Sequence, residues 1–233
     1  GRAPIMFPIC GGLKDNKYNY NGKEYSLTIK HGFAKVSEFE VVEEDDIHTV
    51  FRLNASDETR ECYPFEFNFD VAYTLSGNSL LVEYRVENTD KKPLYCAVGG
   101  HEAYATPEGI EDYKIVFENN ETLVTNLIEG GISRKQETIL ENGKELALKY
   151  DYFAIDALVF LDTKFKAVEL VGKNPAHKVK VEFEGINNML LWTKPNAKYI
   201  CIEPWDGMGD FVDTKGILEE KEYITVLDAG KQY

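Results

Sequence analysis

Four side chains in this sequence are of types that move protons or hold hydroxyl groups, and each stands at or near the end of an apolar run: His31, His101, Asp156 and Glu203. Glu203 has the most informative surroundings. The run Tyr199-Ile-Cys-Ile202 reads as a short buried strand that Glu203 ends, and Pro204 stops the ladder because proline has no N–H to give it. A carboxylate at the mouth of a buried strand loses hydration, so its pKa rises toward that of a useful proton acceptor. Trp205 adds a flat apolar face beside it, and acid plus aromatic in one corner suits a sugar. A strand-end Glu capped by a turn is the plainer alternative.

His101 follows Gly99-Gly100 where the apolar run Leu94-Tyr-Cys-Ala-Val98 ends. Backbone that can approach a ligand closely makes this histidine a candidate proton donor; a core histidine with a satisfied ring is the alternative. His31 precedes Gly32 in a similar way, or is an ordinary loop histidine. Asp156 interrupts Phe153-Ala-Ile-Asp-Ala-Leu-Val-Phe160, where an unpaired charge is costly, so it requires a partner. That partner is a His, an Arg, backbone amides or a ligand hydroxyl. Two carboxylates also leave glycoside hydrolysis open, a choice that turns on a separation no sequence gives. There is no His-x-His or HExxH spacing and no nucleophile elbow, so neither a metal nor a Ser/Cys triad is expected.

The elements that must position these groups are strands. Phe65, Phe67, Phe69, Val71 and Tyr73 alternate with mostly polar residues, Ser76-Gly-Asn-Ser79 turns the chain, and Leu80, Val82, Tyr84 and Val86 run back. Asn21-Gly22 marks another hairpin. Further strands are expected at 94–98, 113–117, 167–171, 179–183, 189–192 and 224–227. Ala3-Pro-Ile-Met-Phe-Pro8 reads as an edge or crossover, and the polar stretch 120–150 as hairpins and loops at a rim. Trp192 is a second sugar platform or simply core.

Composition agrees with an all-β chain. The 233 residues contain fourteen Tyr, thirteen Phe and two Trp, and suffice for one large domain over 1–233. A net charge of −14 argues against nucleic acid and anionic membrane as partners, and makes a phosphorylated ligand the less favoured one. Four cysteines without a CxxC pair point to a reducing, cytoplasmic setting.

Taken together, Ala3-Pro-Ile-Met-Phe-Pro8, His31-Gly-Phe-Ala34, Tyr63-Pro-Phe-Glu-Phe67, Gly100-His101, Asp156-Ala-Leu-Val-Phe160 and Cys201-Ile-Glu-Pro-Trp-Asp-Gly207 resemble the aldose 1-epimerase (galactose mutarotase-like) family, nearest to its LacX-like bacterial branch. The resemblance implies a mostly antiparallel β-supersandwich that interconverts aldose anomers without a cofactor, as a monomer or homodimer. It makes Glu203 the base that takes the C1 hydroxyl proton and His101 the acid that protonates the ring oxygen. His31 and Asp156 match positions that hold hydroxyls or orient the donor. The substrate implied is a hexose, with a hexose phosphate as the lesser option. A non-catalytic sugar-binding or regulatory protein is the other functional class.

Three positions depart from the family pattern. Its Gly-Arg pair is here Gly11-Gly12, and its His-Gly-Phe-Ala-Arg ends in Lys35. An arginine fork makes bidentate contacts that lysine cannot reproduce; Arg2, Lys14, Lys35 and Arg52 are the candidate replacements. Its Gly-His-Pro-aromatic becomes His101-Glu-Ala-Tyr104, where a nearby Glu102 would raise the His101 pKa. The chain is also expected to lack edge segments at both ends.

Overall fold

The structure is a computed structural model that describes residues 4–174 and 176–233. Arg2 and Ala3, named above as a candidate anchor and part of a motif, lie outside the described residues. Alternation decides the first sheet: Phe67, Phe69 and Val71 are buried on one face of Phe67–Ser76, which pairs antiparallel with Ser79–Asn88. His48–Asn54 and Glu40–Glu44 complete four strands in chain order from the outer edge. That outer strand is exposed throughout and carries three glutamates, which discourages pairing with another chain. The Phe stripe packs on Phe7, whose ring stacks on Phe69 with centroids 4.5 Å apart, and on Phe33 and Tyr63.

Asn21 and Gly22 both adopt left-handed backbone and join Lys17–Tyr20 to Lys23–Ser26, as a two-residue hairpin demands. The stretch 120–150 differs from its expected reading. Tyr113–Ile128 and Ile132–Ala147 are 16-residue strands forming one long hairpin, not rim loops. Register shifts break their alternation, and the second strand is mostly exposed, so its polar sequence carries no period of two.

These two strands belong to a nine-stranded antiparallel sheet. Its order runs Lys178–Glu182, Ala167–Gly172, Tyr113–Ile128, Leu158–Phe160, Asn188–Trp192, Tyr199–Asp206, Val98–Gly99; Ile132–Ala147 pairs with Tyr113–Ile128, and Glu102–Ala105 with Tyr199–Asp206. One face packs a core that includes Ile115, Phe117, Phe160, Met189, Leu191 and Ile202. The other face presents Val159, Leu190 and Trp205 to Met6, Cys10 and Phe211. The site described below lies on this second face.

The expected strand at 94–98 is divided. Leu94–Cys96 pairs with Thr225–Leu227, whereas Val98–Gly99 joins the large sheet. Between them the Ala97 N–H donates to the Pro8 carbonyl at 2.8 Å, and the Met6 N–H donates to the Gly99 carbonyl at 3.1 Å. The Pro-bracketed segment is therefore a crossover, with Phe7 in the core of the first sheet and Met6 in the cluster behind the second. The α-helix Asp57–Cys62 starts with a capping box at Ser56, and no helix among the described residues is long and apolar enough to cross a membrane.

The crossover also fixes Gly32. Its φ is +75°, and a Cβ there would stand 2.1 Å from the Phe7 carbonyl oxygen. Gly32→Ala is expected to destabilise by at least about 1–3 kcal/mol, from the left-handed backbone and the forced shift. A urea unfolding midpoint equal to that of the unsubstituted protein would contradict this packing.

Candidate active site

Strand Tyr199–Asp206 carries the centre of the site, and Glu203 is inside it rather than at its end. On one edge the ladder to Asn188–Trp192 continues past Pro204 to Trp205. On the other edge the partner changes: Tyr199–Ile202 pairs with Glu102–Ala105, and Trp205 and Asp206 pair with Gly99 and Val98. Pro204 occupies the gap between these two ladders, where no N–H is asked of it, and its carbonyl accepts the Gly100 N–H at 3.2 Å. The register places His101 directly opposite Glu203, on the same face of the sheet. His101 Nδ1 lies 3.2 Å from Glu203 Oε1, and Glu203 is 2% exposed.

Burial raises the Glu203 pKa well above the ordinary carboxylate value; Lys30 opposes the rise, and Glu102 and Asp156 add to it. The His101 pKa falls, chiefly through burial, with a backbone hydrogen bond opposing and Lys30 and Lys35 adding. The expected rise from Glu102 does not occur. Alternation turns Glu102 to the opposite face, where its own pKa is raised by burial and Tyr84 hydrogen-bonds to it. Burial thus favours the uncharged form of both partners, and the neutral pair holds one proton between them.

His31 has left-handed backbone (φ 69°), and its N–H donates to the Gly11 carbonyl at 2.6 Å. In return the Gly11 N–H donates to His31 Nδ1 at 3.1 Å. An Nδ1 that accepts must be unprotonated, so the ring proton sits on Nε2. Burial, then Lys30, His101 and Lys35, push the His31 pKa down to about 3. Its ring meets His101 edge-on at 5.5 Å and Trp205 at 5.4 Å, and His101 meets Trp192 at 5.7 Å.

These groups line one cavity of about 1070 Å³: His31, His101, Asp156, Trp192, Glu203 and Trp205 all face it. Trp205 is buried, and its indole N–H donates to the Gly100 carbonyl at 3.2 Å. Asp156 is not inside a strand. It stands in a bend before Leu158–Phe160, half-buried, where its Oδ1 accepts the Ala157 N–H. Lys30 Nζ lies 3.8 Å from its Oδ2. Lys30 also lines the cavity and was missed in the sequence, where a lysine before a histidine carries no distinguishing pattern.

Two expected anchors are elsewhere. Arg52 is spent on Asp70, its cross-strand partner in the first sheet, through two bonds of 2.6 and 2.7 Å. Lys35 is exposed in the turn Ala34–Val36, outside the cavity lining, and reaches the two histidines only through its charge. Lys14 does line the cavity, with Nζ donating to the Val212 carbonyl. Asp210 braces the same wall: its Oδ1 accepts from buried Lys221 at 2.6 Å and its Oδ2 from the Lys14 N–H at 2.9 Å.

The donor atoms of His101, Cys201 and Glu203 lie within 4.8 Å of one another, a set of metal-capable ligands that sequence spacing does not show. The cysteine and glutamate come from alternate positions of one strand, and the histidine from its neighbour. Proton transfer and hydroxyl recognition are the chemistry that the remaining polar lining supports. The tautomer of His31 is open to test: ¹⁵N NMR is expected to show protonated Nε2 and bare Nδ1 throughout pH 5–8, and titration in that range would refute the assignment.

The aldose 1-epimerase family model matches residues 2–232. Protein LacX (plasmid) of Lactococcus lactis subsp. lactis is 31% identical over 249 aligned residues, covering 100% of this chain and 83% of the relative. The crystal structure of a galactose mutarotase related enzyme from Lactobacillus acidophilus superposes with a TM-score of 0.93 at 32% identity, over 99% of this chain and 79% of that one. A galactose mutarotase-like protein from Lactobacillus casei gives 0.91 at 26% identity, over 99% and 82%. The fold is therefore galactose mutarotase-like, and the chain belongs to the aldose 1-epimerase family.

Proposed function

We propose that this protein is a mutarotase that interconverts the α and β anomers of a free hexose, with Glu203 as base and His101 as acid. The observation that carries the reading is the pair of half-buried His101 and buried Glu203, 3.2 Å apart, on the wall of a cavity large enough for a sugar. With a hemiacetal bound against the pair, Glu203 as carboxylate takes the proton of the C1 hydroxyl, and imidazolium His101 gives its proton to the ring oxygen. The C1–O5 bond breaks, C1 becomes an aldehyde, and rotation about C1–C2 lets reclosure give the other anomer. Ring opening moves the pair from charged to neutral, and reclosure reverses the transfer. No net proton enters or leaves the site.

His31 is suited to donate from Nε2–H to a ring hydroxyl, Asp156 to accept from one, and Trp205 and Trp192 to flank the apolar faces. Asp15, Glu129 and Asp156 stand against Lys14 and Lys30 around the cavity, Asp210 is paired with Lys221 and burial favours neutral Glu203, so the lining has no excess of positive charge to hold a phosphorylated sugar. The same reading takes the chain as one domain, supported by a family match that runs nearly end to end, and places it in the cytoplasm, consistent with four free thiols.

One observation keeps a binding role in view: no arginine lines the cavity among the described residues, so the planar anchors of the family pattern have no counterpart there. Polarimetry separates the two readings. Freshly dissolved α-glucose or α-galactose is expected to reach anomeric equilibrium faster with the protein, and Glu203→Gln to lose about 10²- to 10⁴-fold of that acceleration. Sugar binding without acceleration by the unsubstituted protein would establish a binding protein instead.

The pair also dictates a pH profile. Burial penalises both the doubly protonated pair, which is cationic, and the doubly deprotonated pair, which is anionic. The one-proton state is therefore widened in both directions. kcat/KM is expected to be bell-shaped, with its acid limb below the ordinary histidine value of 6.5 and its alkaline limb above the ordinary glutamate value of 4.5. An acid limb above 6.5 would show that His101 is stabilised as a cation and would overturn this account.

A further inference from the structure

We infer that His101, Cys201 and Glu203 form a site for a divalent transition metal, with zinc the ion that suits the donors, and that a metal bound there switches the protein off. The inhibition rests on the mutarotase reading; the binding does not.

Sheet geometry assembles the three donors. Cys201 and Glu203 are alternate residues of Tyr199–Asp206, so their side chains leave the same face. His101 stands opposite Glu203 in the gap between Val98–Gly99 and Glu102–Ala105. A ring nitrogen, the Cys201 sulfur and a carboxylate oxygen all lie within 4.8 Å of one another. Zinc bonds of about 2.0–2.3 Å at tetrahedral angles put neighbouring ligand atoms about 3.3–3.7 Å apart. His101 Nδ1 and Glu203 Oε1, at 3.2 Å, already have nearly that spacing. The remaining approach is a side-chain movement of about 1 Å.

The donor types choose the metal. Thiolate, imidazole and carboxylate together suit zinc, whereas magnesium and calcium take oxygen ligands. Cys201 is a free thiol, and it and Glu203 are each only 2% exposed, which sets this group apart from a solvated acidic cluster. Burial raises the thiol pKa, so Cys201 keeps its proton until a metal replaces it. Metal entry sends two protons to solvent, one from the thiol and one from the His101–Glu203 pair. Thiolate and carboxylate then neutralise the dication, and neutral imidazole completes the set. The buried site therefore takes up the metal without acquiring a net charge.

His101 and Glu203 line the cavity and Cys201 does not, so a metal enters from the cavity with Cys201 as its inner ligand. Three protein ligands leave a fourth position for water. The bound metal occupies the two groups that the proposed reaction uses: the carboxylate can no longer take the C1 hydroxyl proton, and the imidazole has no proton to return to the ring oxygen.

The test adds the metals alone to chelator-treated protein. Zn²⁺ is expected to bind in calorimetric titration and to abolish the acceleration of α-glucose mutarotation in polarimetry, with EDTA restoring it. Cd²⁺ is expected to give ultraviolet thiolate-to-metal charge-transfer absorption. Cys201→Ser and Cys201→Ala should each remove that absorption, and Cys62→Ser, at the half-buried thiol, should keep it. Both Cys201 variants are expected to bind Zn²⁺ at least about tenfold more weakly, since loss of even an outer-shell partner costs that much. Their metal-free acceleration should persist, because Cys201 is outside the cavity lining. Should neither variant fold, ring ¹⁵N spectra of the unsubstituted protein decide: Zn²⁺ is expected to shift His101 and leave His48 and His177 in place. No cadmium–thiolate absorption, absorption that survives in the Cys201 variants, or Zn²⁺ that shifts only His48 or His177 would overturn the site. Zn²⁺ bound at His101 with mutarotation unimpaired would overturn the switch. Acceleration of no sugar by the metal-free protein would defeat the mutarotase reading, with the cadmium absorption and the ¹⁵N shifts still deciding the metal site.

Discussion

The site depends on a single interruption in a β-ladder. Strand Tyr199–Asp206 must pair along its length to stay buried, yet its outer edge is shared by two short strands with Gly100 and His101 between them. Pro204 faces that gap because it is the residue that loses nothing by lacking a partner for its N–H. The register is the same on both sides of the gap, so His101 is held opposite Glu203 although it lies outside either strand. A slip of one residue would turn Glu203 into the apolar core and bring Ile202 to the cavity. The geometry of the His101–Glu203 pair is thus set by backbone pairing over eight residues, with little left to side-chain adjustment.

Electrostatics follow from where that register leaves the pair. The sheet face carrying it is closed by Met6, Cys10, Met208 and Phe211, and Glu203 has almost no contact with water. A buried carboxylate and a buried imidazole are each costly when ionised, but a proton shared between them costs neither a net charge. Lys30 is the cation that acts on Glu203, and it is itself near Asp156, so its pull on Glu203 is divided. The two directions of shift, up for Glu203 and down for His101, belong to one cause.

Much of this was legible in the sequence, but unevenly. The desolvation of Glu203 was readable because a lone polar residue in or beside an apolar run has few structural excuses. The all-β architecture was readable from the Phe65-to-Tyr73 alternation and the Asn21-Gly22 turn. What failed was long-range pairing. Pro204 was read as the end of a strand because a ladder that changes partner is invisible locally. Arg52 was offered to the substrate because its cross-strand Asp70 is eighteen positions away. Asp156 looked buried within an apolar run, but the chain bends there, exposes Ile155 and leaves the carboxylate beside it half-buried. The hairpins and loops expected over 120–150 are one long hairpin through 113–147, whose length went unread for a related reason, since an outer strand with bulges needs no apolar period.

The absence of arginine from this cavity among the described residues and the shape of its electrostatics are connected. A guanidinium fixed beside Glu203 would stabilise the carboxylate permanently, lower its pKa and weaken it as a base. Gly12 supplies no such charge, Arg52 is neutralised by Asp70, and Lys35 acts from outside the lining. On the mutarotase reading, hydroxyl recognition then falls to neutral donors such as His31 Nε2–H, whose tautomer is fixed by a backbone N–H and which stays uncharged far below neutral pH. Such a site gives up bidentate grip on a single ring. In the proposed reaction it gains a base whose charged form no fixed guanidinium stabilises.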